Sequence, residues 1–451
     1  MTSNFLRPLP LILSVIGTFS LKAAEPTTLG QNAIAAAKAL PQGGIVIGET
    51  LASGTVFSVA GKLEPAGVPP EKLIFEIGSV SKVFTGLLLA QAVLEKKVSL
   101  DTPVRDLVDK GFRFADPKVG TITLRQLATH TSGLPRLPDN IAAEADPLDP
   151  YARYDRSMLA ACLRDVKLEG DGPFPEVYSN LGAGLLGELL ARLYGKSWEE
   201  LVVERIAKPL GMEDTVVTLS EEQMKRFVPA YAGSTTVKSW TMTAMAGAGA
   251  LRSTAVDMMK FGKALAKPEN TALREAIELL KSPQSDGSIG LFLQILKLKN
   301  GKLGHWMGGG TGGFRSWLSL RSHDSRIVVI LSNNSECSPE DLISGKPPTP
   351  VATGPADPTL ADFVGVYDTG EEAAGTAIHY QFEARAAELW MQITGQPAVP
   401  LSRHATKKDR FAFAPVNAEI QFTRDGGKVV STTLFQAGME ILAKKLNDAK
   451  P

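Results

Sequence analysis

The chain has 451 residues, with 48 lysines and arginines balanced by 48 aspartates and glutamates, and 42 glycines. That is long for one ordinary domain and fits a globular enzyme with many turns and a sizeable core. A net charge of zero without any long basic run excludes nucleic acid and an anionic membrane surface as natural partners; it points to a small molecule or a cell-surface polymer.

Residues 1–24 read as a secretory signal peptide: Arg7 precedes an apolar stretch over 9–19, and small residues follow. The stretch is short and soon followed by Lys22, so no membrane span is expected in the mature chain, an uncleaved N-terminal anchor being the other reading. The expected location is periplasmic or secreted. A helix is expected over 32–40, then a hairpin of 44–48 and 55–59 about a Ser53-Gly54 turn. Phe75-Glu76-Ile77-Gly78-Ser79-Val80-Ser81-Lys82 runs into an apolar-periodic helix over 83–93. Shorter helices open at Leu100-Asp101-Thr102-Pro103-Val104 and at 121–127, the latter ending near Gly133-Leu134-Pro135. From 149 to 265 the pattern is mostly helical, with helices at 181–193, 198–206 and 254–265, the last capped by Ser253 or Thr254 with Asp257 in its first turn.

The period then changes to two. Runs at 289–298, 302–307, 314–320 and 326–331, with an Asn300-Gly301 turn, read as antiparallel strands that join the early hairpin. Residues 346–358 are a linker by composition. Beyond it, 359–449 carries short strand-like runs at 364–367, 377–382, 389–393, 410–413, 420–423 and 429–434, with Asp425-Gly426-Gly427 as a turn. The expected fold is α/β (α+β): an antiparallel five-stranded sheet flanked by helices, with a helical subdomain, over 25–345, plus a small C-terminal β-barrel-like domain.

Ser79 and Lys82 form the one Ser-x-x-Lys in the chain and place a hydroxyl and an amine about one helical turn apart, a nucleophile beside a base. The helix N-terminus favours negative charge developing there. By itself the pair also fits a helix cap with a solvated lysine. Tyr178-Ser179-Asn180 supplies a phenol that ionises more easily beside an ammonium group, and an amide that both donates and accepts; an ordinary half-buried aromatic is the plainer reading of Tyr178. Met307-Gly308-Gly309-Gly310-Thr311-Gly312-Gly313-Phe314 lets a ligand approach exposed main-chain N–H groups, or is simply a glycine-rich hairpin turn. Cys162 and Cys337 form no disulfide framework or metal pattern, and the five histidines include no close pair, so no metal and no cofactor are expected.

Together these elements resemble the serine β-lactamase and penicillin-binding-protein superfamily. The octapeptide ending in Lys82 fits the class C β-lactamase signature at every position, and Tyr178-Ser179-Asn180 fits that class's Tyr-x-Asn element. Residues 123–135 and 247–254 also look like stretches of this family, and the resemblance covers roughly 31–335. It implies a cleft between sheet and helical subdomain. Ser79 would be the acylated nucleophile, Lys82 would assist its deprotonation, Tyr178 would shuttle protons, and Asn180 would orient Lys82 and substrate. The N–H groups of Ser79 and Gly310 would form the oxyanion hole, with Met307, Gly308, Gly309 and Thr311 lining the substrate edge.

Two positions depart from the family. Met307 stands where a lysine or histidine is usual, and a thioether cannot pair with a substrate carboxylate; His305, on the same strand face, is the candidate substitute. The loop Gly133-Leu134-Pro135-Arg136-Leu137-Pro138 lacks the class C glutamine, and Arg136 is the alternative positive charge. His130 is expected to support a turn by hydrogen bonding, and Arg315 to contact the sheet edge, a substrate or solvent.

The expected activity is that of an exported serine hydrolase, a class C-like β-lactamase with a role in antibiotic resistance. Its substrate would be a small-molecule β-lactam, an ester or a peptidoglycan-derived peptide. A carboxylesterase or a D-amino-acid peptidase or carboxypeptidase is the alternative, and a non-catalytic binding protein a distant one. No Gly-x-Ser-x-Gly elbow occurs, which disfavours an α/β-hydrolase.

Overall fold

A computed structural model describes residues 27–141, 149–233, 235–284, 287–298, 301–321, 323–346, 357–373, 376–385, 388–393, 398–404, 407–413, 418–436 and 439–446. The expected signal peptide, most of the expected linker and Asn300 of the expected turn lie outside these residues.

The larger, N-terminal part is built on one antiparallel sheet with strand order Gly54–Gly61, Gly44–Leu51, Arg326–Ser332, Arg315–Arg321, Leu303–Gly310, Gln294–Lys297. The early hairpin thus joins the late strands, in the register Val46 opposite Leu331. The five expected strands are six. All six strand-like runs contribute a strand, and the run 289–298 keeps only the short edge Gln294–Lys297, because its first half leaves the sheet. There Gly290 N donates to Leu293 O at 2.8 Å and Leu291 N to Leu280 O at 2.9 Å, which buries Leu291 and Phe292.

One face of the sheet is covered by the helices Thr28–Ala39 and Pro339–Ser344 over Ile45, Ile47, Val328 and Ile330. The other face packs on Ala255–Ala266 and, behind it, on the helix Ser81–Leu94. Ser81–Leu94 is buried almost all round, from Ser81 to Ala92, as its nearly unbroken apolar sequence requires. The helical subdomain includes Arg156–Asp165, Asn180–Tyr194 and Trp198–Val202, while a small hairpin of Ala230–Ala232 with Thr235–Val237 bonds the end of the sheet, Tyr231 N donating to Asn333 O at 3.1 Å.

The C-terminal part is a closed barrel of eight strands, Gly365–Ala373 through Met439–Lys445, closed by Tyr367 opposite Lys445. Its interior is filled by Tyr367, Phe382, Phe411 and Phe422, and Phe363 from the preceding 3-10 helix Pro358–Phe363 packs against Phe422 at 4.7 Å between ring centroids. The expected turn at Gly426 and Gly427 joins two of the barrel strands, both glycines taking positive φ.

Candidate active site

Ser79 lies on a 3-10 turn, Gly78–Val80, that leads straight into the helix Ser81–Leu94. Gly78 has φ of +48°, and a Cβ there would stand 2.7 Å from Gly310 N. A Cβ on Gly309 would collide with Ile77 O and lie 3.1 Å from Ser79 N. Glycine at these two positions is what allows the strand Leu303–Gly310 to run against the serine turn. The main-chain N–H groups of Ser79 and Gly310 therefore belong to one junction.

Three side chains converge on this turn from distant parts of the chain. Lys82 Nζ lies 3.1 Å from Ser79 Oγ, 2.8 Å from Asn180 Oδ1 and 2.7 Å from Ala248 O. The Tyr178 hydroxyl donates to Ser79 Oγ at 2.5 Å. Lys82 is fully buried; burial first, and the Arg136 charge second, hold its amine well below the usual lysine range. Burial of Tyr178 pushes its phenol up to about 12, against the lowering influence of the Ser79 hydrogen bond and of Arg136. The expectation that Tyr178 ionises more easily beside an ammonium group is thus reversed: burial outweighs the neighbouring positive charge and favours the phenol.

The Tyr178-Ser179-Asn180 segment is held from behind by the loop after residue 129. Ser179 N donates to His130 Nδ1 at 3.1 Å, Val177 N to His130 O at 2.8 Å, and Asn180 N to Arg136 O at 2.8 Å. Ser179 Oγ donates to Pro135 O at 2.6 Å and caps the following helix by accepting from Gly182 N at 2.9 Å. His130 is buried, adopts φ of +58°, and its imidazole is pushed down to about 3, chiefly by burial and then by Lys82 and Arg136. It is a neutral acceptor that supports the loop, as its sequence context implied. Arg136 is exposed, with its guanidinium 5.1 Å from the Tyr178 ring centroid.

Met307 sits opposite Leu318, 5 % exposed and packed in the main core, so it brings no charge to the cleft. His305 does not replace it. It is buried opposite Leu320, two residues further from the serine turn, and burial followed by Lys281 pushes it down to about 4. Thr311 N closes the turn on Phe314 O at 3.1 Å, and Arg315 Nη1 donates to Thr311 O at 3.2 Å and Phe314 O at 3.0 Å. Gly308 faces the opposite side of the sheet, toward Trp317 and Glu340.

Five further groups join the site with no role foreseen for them in the sequence, although Glu76 and Ala248 fall in stretches already singled out. Asn180 Nδ2 donates to the Tyr151 hydroxyl at 3.2 Å, and Tyr151 packs against Trp240 with ring centroids 5.4 Å apart. Trp240 Nε1 would lie 2.9 Å from a Cβ on Gly312. Two buried carboxylates anchor this tryptophan's loop: Trp240 N donates to Glu76 Oε1 at 2.8 Å and Thr241 N to Asp149 Oδ1 at 2.9 Å. Burial raises Glu76 to about 7 against the pull of Arg252. Ala248 O falls inside the stretch 247–254 already singled out, but its carbonyl leaves no trace in side-chain identity.

A buried lysine and a tyrosine sharing one serine oxygen, in a cleft between an antiparallel sheet and a helical subdomain, define the architecture of the penicillin-recognising serine enzymes. The beta-lactamase family model matches residues 43–342, and the chain belongs to that family. Among curated relatives, it is 33% identical over 208 residues to the D-alanyl-D-alanine-carboxypeptidase/endopeptidase AmpH of Escherichia coli (strain K12), covering 46% of this chain and 53% of that one. It is 28% identical over 222 residues to a beta-lactamase of Yersinia enterocolitica, covering 47% of this chain and 53% of that one. The chain thus spans about half the length of the curated relatives it matches. A class C beta lactamase from Rhodobacter sphaeroides superposes with a TM-score of 0.59 at 23% identity, covering 71% of this chain and 99% of that one, which shows the fold. The family match ends before the barrel.

Proposed function

We propose that the chain is an exported serine hydrolase that forms an acyl-enzyme on Ser79 and opens β-lactam amides in the manner of a class C β-lactamase. The carrying observation is that Lys82 Nζ and the Tyr178 hydroxyl both reach Ser79 Oγ, at 3.1 and 2.5 Å. A neutral amine has two hydrogens, which suit Asn180 Oδ1 and Ala248 O, and a lone pair left for the serine proton. Lys82 takes that proton as Oγ attacks the carbonyl carbon. The N–H groups of Ser79 and Gly310 stabilise the oxyanion. Tyr178 protonates the leaving nitrogen and regains a proton from Lys82; the same relay run backwards activates the hydrolytic water. Asn180 holds Lys82 in place.

Labelling with a fluorescent penicillin tests the nucleophile: label is expected on the full chain and absent in Ser79→Ala. A labelled Ser79→Ala protein would sink the assignment. Rapid turnover of a chromogenic cephalosporin supports lactam hydrolysis, whereas stable acylation without turnover moves the protein to a penicillin-binding role.

Met307 favours a second reading with the same chemistry, hydrolysis of carboxylic esters or D-amino-acid peptides, the esters above all, since a neutral ester carries no carboxylate that needs a cation at that position. Short acyl esters cleaved much faster than any β-lactam would decide for it. Export is expected from residues 1–24, and fractionation of the expressing cell tests it. Among the described residues no helix is long and apolar enough to cross a membrane.

A further inference from the structure

The edge of the glycine-rich strand carries a charge that bears on substrate choice. Gln294–Lys297 pairs with Leu303–Trp306 only, so among the described residues Met307–Gly310 have a strand partner on one side, Arg315–Leu318, and an open edge on the other. An extended substrate can add to such an edge by main-chain hydrogen bonds. Because Gly309 abuts Ser79 N, a substrate whose carbonyl is at Ser79 has one arm passing Gly308, a single residue further along.

What that arm meets is acidic. A Cβ on Gly308 would lie 3.4 Å from the Trp317 ring and 3.7 Å from Glu340 Oε1. Glu340 is exposed, in the first turn of Pro339–Ser344, and makes no ion pair among the described residues. The adjacent Asp341 is paired with Lys346 at 3.6 Å. Arg315, the cation on the same face, lies at the Gly310 end and spends Nη1 on the turn carbonyls of Thr311 and Phe314. On the inner face Met307 is apolar and buried. A carboxylate on a substrate at Gly308 would meet this anion first, the nearest cation on that face, Arg315, lying at the Gly310 end and within charge reach of Glu340 itself.

We propose that Glu340, with Met307, sets the charge preference of the cleft: the Gly308 end selects against a carboxylate-bearing arm and for an ammonium-bearing or neutral one. This rests on the reading of Ser79 as the acylated nucleophile, and of the two substrate readings above it favours the ester over the carboxylate-bearing β-lactam, which would be a slower substrate. It makes cationic or neutral esters and amides better substrates than acyl donors that carry a carboxylate next to the scissile bond.

Two matched sets of thioesters test it on the full chain, with released thiol as the readout. One set carries the charge on the departing thiol, as thiocholine, 2-methoxyethanethiol or 3-mercaptopropionate. The other carries a trimethylammonium, methoxy or carboxylate group at the end of the acyl arm of a neutral thioester, so that the arm passing Gly308 identifies itself. In one of the two sets the ammonium member is expected to exceed the carboxylate member in kcat/KM by about tenfold or more. Glu340→Lys, a surface change that spares the core, is expected to invert that ratio. Ratios within about twofold in both sets, or a ratio unmoved by Glu340→Lys, overturn the inference while leaving the nucleophile intact. Absence of any acyl adduct on Ser79 by intact mass, with every thioester inert, overturns the parent reading and this one with it.

Discussion

Asn180 reaches across the cleft to Lys82, its side-chain oxygen accepting from Nζ at 2.8 Å over a sequence separation of 98 residues. The contact is neutral, so it orients the amine without stabilising the ammonium form by charge. In the proposed mechanism the amine is active when deprotonated, and its affinity for protons is already lowered by burial. Activity is therefore lost as pH falls through that lowered value and retained above it. Asn180→Asp would place a carboxylate on Nζ and favour the ammonium form. The acid limb of the kcat/KM profile is expected to move to higher pH by about 1–3 units, the usual effect of an opposite charge at this range. A limb that stays in place would mean that another group controls it.

Tyr178 tests the other half of the relay. Its phenol is pushed up to about 12, which suits the proposed role of acid toward the leaving group. Tyr178→Phe keeps the ring that packs 4.6 Å from His130 and removes only the hydroxyl. Turnover is expected to fall by roughly 10²–10⁴ with the melting temperature little changed, the range for losing one general acid or base. Single-turnover kinetics separate loss of acylation from loss of deacylation.

His130 links the site to acid stability. Its folded value, pushed from 6.5 to about 3, is below the unfolded one, so the unfolded chain binds the extra proton first. Its contribution is fully present above pH 6.5 and is lost as pH falls toward 3. The unfolding free energy is expected to drop by roughly 1 kcal/mol per pH unit in that window from this group alone. His130→Asn should flatten the slope, because asparagine accepts from Ser179 N, tolerates the positive φ and does not titrate. Urea unfolding between pH 7 and pH 4 measures both slopes.

The legible part of this protein is the part written in contiguous motifs. Ser79 and Lys82 are one helical turn apart, so local spacing pairs them, whereas Tyr178 and Asn180, which flank a helix cap, are assigned through the family resemblance. Tyr151, Trp240 and Ala248 O reach the site through tertiary folding, and no periodicity marks a residue for what it will meet 29 or 166 positions away. The strand bounds failed at 289–298, where the apolar residues 291–293 give no period by which to separate a buried loop from the edge strand Gln294–Lys297 that follows. In the barrel, Val399–Arg403 and Met439–Lys445 were not foreseen, the first holding Pro400 and the second ending in a lysine pair, features that argue against a strand by composition. The direction of the Tyr178 shift was missed for a related reason: burial is a property of the fold, and it outweighs the neighbour that sequence could name.

The barrel touches the catalytic part through Arg385, which pairs with Glu336. Arg385 also bonds Glu383 at 3.1 Å and lies 4.6 Å from the Trp390 ring centroid. The Glu336 side chain is only 7 % exposed. It packs where Gly233 lacks a side chain, at the end of the hairpin Ala230–Val237 that abuts Gly313 beside the cleft. Arg385→Ala would leave this carboxylate buried without its partner. Part of the charge stays screened by solvent at the domain edge, so the expected cost is on the order of 2 kcal/mol, below the roughly 3–5 of a fully buried pair. Adding Glu336→Gln to Arg385→Ala should recover most of it, and a double-mutant cycle on thermal melts gives the coupling. If the barrel steadies the cleft wall through this contact, Arg385→Ala raises KM for bulky acyl esters more than for acetyl esters, while kcat holds. Equal KM values for both substrates in a destabilised Arg385→Ala protein would confine the ion pair to holding the two parts together.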